Sequence, residues 1–121
     1  MAKYVDGFVL VVPKDKRAAY KKMAKEGAEI WKKFGAVDYK ECRADDMTPQ
    51  NITFTFPKMA KAKEDEEVWF SYIVFKSKAE RKTINKKVMA YMEKKYADSK
   101  DMSMPFDMKR MSYGGFTVEV E

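Results

Sequence analysis

Asp6 is an acid set inside an apolar run, Tyr4-Val5-Asp6-Gly7-Phe8-Val9-Leu10-Val11-Val12. In a β-strand it shares one face with Tyr4, Phe8 and Leu10. A carboxylate buried on such a face must be paired, hydrogen-bonded or protonated. Two roles follow. Asp6 is a candidate catalytic residue, as a general base or a ligand anchor inside a barrel. Or it is a structural acid, held by a backbone amide or paired with Lys109 or Arg110. Near the far end of the sequence, Arg110 and Tyr113 follow Phe106 and Asp107. Arginine supplies charge, a tyrosine hydroxyl a hydrogen bond and a phenyl ring stacking, so the group suits an anionic or carbonyl-bearing ligand. The competing role is loop shaping: Pro105 fixes φ, Asp107 makes an Asx turn, and Gly114-Gly115 form a bulge. The expected ligand-binding set is therefore Tyr4, Asp6, Phe8, Arg110 and Tyr113, on one sheet face.

Much other chemistry is excluded by composition. There is no histidine, so Ser-His-Asp and Cys-His arrangements, an HExxH zinc site and a histidine-ligated haem have no ligands or base. The single cysteine, Cys42, forms no intrachain disulfide. With no histidine to activate it, its expected role is a small, partly buried side chain. Glu41, Asp45 and Asp46 have the oxygen chemistry for a hard cation, but a solvated turn explains them as well, and no metal site is expected. The ten methionines follow no tight repeat and read as soft packing. Neither GxGxxG nor a Walker motif occurs, so no haem, zinc or nucleotide cofactor is expected.

Lysine and arginine total 25 against 19 acids, a formal charge of +6. Only Arg17, Arg43, Arg81 and Arg110 are arginine, the residue that base readout and bidentate phosphate contacts favour. The lysines interleave with Glu26, Glu29, Glu80 and Glu93, as on a solvated helix face. Specific nucleic-acid binding is not expected. No apolar run reaches the ~18 residues of a membrane span, and the first residues lack a secretory pattern, so a cytoplasmic location is expected.

The elements that must position these residues follow from periodicity. Tyr4 to Val12 is apolar on both parities apart from Asp6, as in a central strand. Lys14 to Phe34 reads as a helix with Asp15 as N-cap or first-turn acid. Its stripe is Tyr20, Met23, Ala24, Gly27, Ile30, Trp31 and Phe34, and Gly35 is its stop. Ala36 to Ala44 is a charged edge strand. Asp45 to Glu66 is a lid or a structural flap, with a short strand at Ile52, Phe54 and Phe56 and a helical turn at Lys58 to Lys63. Glu67 to Phe75 is a second central strand. Ser77-Lys78-Ala79-Glu80 is a capping box opening a helix with Ile84, Val88, Tyr91 and Met92 on its buried stripe, fraying between Tyr96 and Ser103. Arg110 to Val120 is the last strand.

The order β-α-β-β-α-β predicts a single ferredoxin-like α+β domain over 1–121, its four strands antiparallel in the order 4-1-3-2 with both helices on one face. The other face of the two central strands stays apolar and uncovered, beyond the few hundred Å² that monomers expose. A second copy packed sheet to sheet is the expected cover, with the flap at its rim.

Residues quoted above carry a resemblance. Tyr4-Val5-Asp6-Gly7-Phe8-Val9, Glu41-Cys42 with Asp45-Asp46, and Glu67-Val68-Trp69-Phe70-Ser71 resemble the YbaA-like bacterial family, a domain of unknown function numbered 1428. The most specific part is the tail from Ser103-Met104-Pro105-Phe106-Asp107 through Tyr113-Gly114-Gly115-Phe116, and the resemblance covers almost the whole chain. It implies the dimeric α+β barrel superfamily, whose members include small-molecule monooxygenases, isomerases, haem-degrading proteins and ligand-binding regulators. Fold alone does not choose among these. The expected function is a homodimeric module binding a small molecule or a partner. The alternative is a cofactor-independent small-molecule enzyme of monooxygenase or isomerase type, using Asp6, Tyr72, Arg110 and Tyr113.

Overall fold

Ten residues, Tyr4–Pro13, form the first strand, β1, and Pro13 closes it because proline cannot donate to the ladder. The chain is described from a computed structural model, over residues 2–97 and 104–121. A 3-10 turn, Lys14–Lys16, leads into α1, Arg17–Lys33. Asp15 lies in that turn, and the residue preceding α1 is Lys16, with no side-chain cap. Gly35 stops the helix at φ +117°, a left-handed value that favours glycine. Then come β2 (Asp38–Arg43), α2 (Phe56–Ala60), β3 (Glu66–Phe75), α3 (Lys78–Lys95), a second 3-10 turn (Met108–Arg110) and β4 (Ser112–Thr117).

The sheet order is β2-β3-β1-β4 with every pairing antiparallel, the topology the sequence predicts. Alternation assigns the faces. Tyr4, Leu10 and Val12 of β1 and Trp69, Ile73 and Phe75 of β3 join two core clusters with Tyr20, Ala24 and Ile30 of α1 and Ile84 and Val88 of α3. Phe8 packs against both clusters. Ser77 caps α3 by accepting the Glu80 amide at 3.1 Å, which fixes where that helix starts and which side it turns to the sheet.

Three expected features differ. Ile52, Phe54 and Phe56 alternate but form no strand; Phe56 already opens α2, and all three side chains are exposed. Instead Thr55 caps α2 through the Lys58 amide, Pro57 sits in the first turn, and the helix ends at Lys61 in the left-handed region. Gly114 and Gly115 form no bulge: they lie in register opposite Gly7 and Asp6. Arg110 belongs to the 3-10 turn rather than the strand. The expected fraying between Tyr96 and Ser103 falls largely outside the described residues, as does Ser103 of the tail motif.

α2 lies against β1 and β3 on the outer side of the sheet, where Val11 and Val68 are buried. The rest of the outer face is uncovered. Phe70 is 45% exposed and Phe116 61% exposed. Cys42, opposite Phe70 on the edge strand, is exposed rather than partly buried.

Candidate functional site

Asp6 is 1% exposed, on the face that α1 and α3 cover, not the open one. Its partner comes from α3. Arg81 Nε donates to Asp6 Oδ2 at 3.1 Å, and Arg81 Nη2 lies 2.9 Å from Oδ1. Oδ1 is buried and off the N–H direction, so it has the charge contact but accepts no hydrogen bond. Asn85, one turn beyond Arg81, donates weakly to Oδ2 at 3.4 Å while its own oxygen accepts from Trp31 Nε1 at 2.9 Å. The expected partners Arg110 and Lys109 play no part. Arg110 grips Glu66 instead, at 2.6 Å, and donates to the Lys61 carbonyl at 2.9 Å.

The same guanidinium continues outward. Arg81 Nη2 donates to the Tyr113 hydroxyl at 2.5 Å, and its carbon stands 5.2 Å from the centre of the Tyr4 ring. Tyr113 lies opposite Phe8 in the ladder, and the two rings stack 4.8 Å apart at 18°. Gly115 makes room for Tyr4: a Cβ there would come within 2.4 Å of the tyrosine oxygen. The cluster runs from a sealed carboxylate, through a mostly buried arginine, to a tyrosine that is 51% exposed at the β4 edge.

Charge sets the protonation states. The hydrogen bond to Asp6 raises the Arg81 pKa further, so the guanidinium stays charged. Burial first, and then the Asp6 carboxylate, push the Tyr113 pKa up, against the pull of Arg81. Tyr113 is thus a neutral hydroxyl at physiological pH, able to donate or accept.

Four of the five expected site residues, Tyr4, Asp6, Phe8 and Tyr113, come together; Arg110 does not. Its place is taken by Arg81. The signal for Arg81 is present in the sequence: it precedes Ile84 by three positions and Val88 by seven, so it shares the buried stripe of a capped helix. Glu41, Asp45 and Asp46 do not converge, and among the described residues no three such side chains form a metal-binding group. Among the same residues, no helix is long and apolar enough to cross a membrane.

Comparison with known proteins agrees with this architecture. The model of a family described as a protein of unknown function, DUF1428, matches residues 3–108. The chain is 47% identical over 114 residues to the uncharacterized protein YbaA of Escherichia coli strain K12, covering 94% of each chain. It has the same identity and coverage with the YbaA of Shigella flexneri. A crystal structure of a dimeric ferredoxin-like protein from an uncultured marine organism aligns with a TM-score of 0.56 at 13% identity, covering 100% of this chain and 99% of that one. That likeness is one of fold.

Proposed function

The chain belongs to the DUF1428 family of proteins of unknown function, and from that footing we propose that it is a homodimeric, cytoplasmic module that binds a small molecule. The carrying observation is the line of contacts from the buried Asp6 carboxylate through Arg81 to the half-exposed Tyr113 hydroxyl, which brings a cation and a neutral hydroxyl to the β4 edge. A guanidinium and a hydroxyl side by side suit a ligand that carries an acceptor group. Arg81 and the stacked Phe8–Tyr113 pair supply orientation around it.

Self-association rests on the outer face. Phe70 stands exposed on a strand whose other side is packed, Phe116 stands exposed on the edge strand two places away, and a second copy laid sheet to sheet covers both at once. The fold neighbour is described as dimeric. In the reducing cytoplasm the exposed Cys42 stays a thiol.

A second reading, a cofactor-independent enzyme of monooxygenase or isomerase type, draws on the neutral Tyr113 hydroxyl beside an acid–arginine pair, which suits proton transfer. Native mass spectrometry of freshly purified protein tests the first reading. A dimer mass with a retained small molecule is expected; a bare monomer at micromolar concentration would sink it.

A further inference from the structure

The two edges of the sheet differ in kind. β2 carries Asp38, Lys40, Glu41 and Arg43, and charges of this sort keep other strands from adding to an edge. β4, Ser112 to Thr117, has no charged residue and no proline. It has no bulge either, running in register with β1 from Val9↔Ser112 to Tyr4↔Thr117. Among the described residues no strand pairs with its far side. An uncharged, unbulged, open edge is a template for another strand.

The ladder fixes which backbone groups this edge offers. The Val118 amide donates to the Lys3 carbonyl at 3.0 Å, and these residues are direct partners one step beyond Tyr4↔Thr117, so they form a hydrogen-bonded pair. Such pairs alternate along an antiparallel ladder. Phe116, Gly114 and Ser112 therefore turn their N–H and C=O groups toward β1 as well. Tyr113, Gly115 and Thr117 turn theirs to the open side, and all three residues are exposed.

We infer that β4 pairs with β4 of a second copy of this chain, antiparallel, about a two-fold axis at Gly115. In that register Tyr113 stands opposite Thr117 of the second copy and Gly115 opposite its own counterpart, so every outward N–H and C=O finds a partner. A register centred on Gly114 would set Thr117 opposite Met111, beyond the end of the facing strand. On the outer face each Phe116 stands opposite Gly114 of the other copy. Its ring already lies against two glycines of its own chain, 3.2 Å from a Cβ placed on Gly7 and 3.8 Å from one on Gly114, and a third glycine across the axis leaves it room. No like charges meet along the junction. Growth stops there, because both outer edges of the joined sheet are then the charged β2. The axis stands perpendicular to the sheet, so this contact is separate from the sheet-to-sheet one and does not depend on it. It also sets Thr117 of the second copy beside each Tyr113, at the edge of the candidate site.

A junction one strand wide falls in the small, weak class of interfaces, and a Kd of about 0.1 mM is expected. The test compares wild type at roughly 10 µM and roughly 1 mM, by sedimentation and by amide hydrogen exchange; at the higher concentration about four-fifths of the edges would be paired. The sedimenting mass is expected to approach twice its dilute value. Exchange at Tyr113, Gly115 and Thr117 is expected to slow about fivefold, with the amides of β2 unchanged. Thr117→Pro removes an outward N–H that β1 does not use, at an edge position where proline is tolerated. This variant is expected to keep its dilute mass at both concentrations, with its helix content intact. The proposal is overturned if wild type has the same mass and the same exchange rates at both concentrations, if Thr117→Pro doubles as wild type does, or if the mass grows without limit. Should the variant not fold, wild-type exchange decides alone: slowing confined to those three amides supports the pairing, and uniform slowing overturns it. A contact through the outer face, present already at the lower concentration, is left standing by either result.

Discussion

Gly114 and Gly115 are neighbours in one strand with opposite obligations. A methyl group on Gly115 would stand 2.4 Å from the Tyr4 hydroxyl and 2.7 Å from its ring, and Tyr4 is part of the core. On Gly114 it would meet only the Phe116 ring, at 3.8 Å, on the open face. Gly115→Ala is therefore expected to cost about 1–3 kcal/mol in chemical denaturation, with Gly114→Ala much closer to wild type. Equal losses at the two positions would contradict the assigned faces. Asp6→Asn separates structure from binding in another way. It leaves the Arg81 charge without its partner, and loss of one member of a buried pair costs roughly 3–5 kcal/mol. Arg81 keeps some solvent, its side chain being 22% exposed, so the lower end is expected. An unchanged melting temperature would show that the pair contributes no stability. At this scale the sequence is a partial guide. An acid in an apolar strand announces that it needs a partner, and Tyr113 is placed correctly. Arg110 misleads because nearness to Tyr113 along the chain is not nearness in space: the 3-10 turn points it at Glu66, while α3 delivers Arg81 from 32 residues away.

The elements that read clearly are those with an unbroken period. β1 and β3 alternate with apolar residues on both parities, and α3 begins at a serine cap, so their limits are set by local chemistry. The segment between β2 and β3 reads poorly because alternation over a short apolar run does not by itself distinguish a strand from a capped helical turn. Its attachment is ionic instead. Glu66 opens β3, receives Arg110 at 2.6 Å and 3.0 Å, and accepts the Lys63 amide at 2.8 Å, so the tail turn is fastened to the end of the α2 segment. Chiefly through Arg110, and then the Lys63 amide, the Glu66 pKa falls from 4.5 to about 2. A folded-state pKa below the unfolded one gives stability that is fully present above the unfolded value and is lost as pH falls through the folded one. Arg110→Gln returns Glu66 toward its ordinary range. The stability gap between wild type and variant is therefore expected to be widest at neutral pH and to close as pH drops from about 5 toward 2. Urea unfolding at several pH values reads this directly, and a gap that widens in acid would refute it.

At the scale of the molecule, one side of the sheet is finished and the other is not. Two core clusters joined by Phe8 fill the helix side, while Phe70 and Phe116 project from the other. A second copy covering that side is expected to bury about 2,000 Å² or more in total, the scale of permanent assemblies. Phe116→Lys places a charge in the middle of such an interface. In sedimentation it is expected to shift the protein from dimer to monomer with its helix content intact; a variant that stays dimeric at low micromolar concentration would move the interface elsewhere. The sheet order carries one more consequence, and it concerns time. Of the sheet's four strands, β1 leaves the ribosome first, and one of its two neighbours, β4, leaves last. Tyr4 pairs with Thr117, and the Val118 amide donates to the Lys3 carbonyl at 3.0 Å. A nascent chain that has released α3 already holds both helices, β1 and β3, and can set Arg81 against Asp6. It still lacks Tyr113 and the glycine that seats Tyr4. The proposed site is therefore completed only when β4 is added, and a product cut short before β4 would keep much of the core and the Asp6–Arg81 pair without Tyr113.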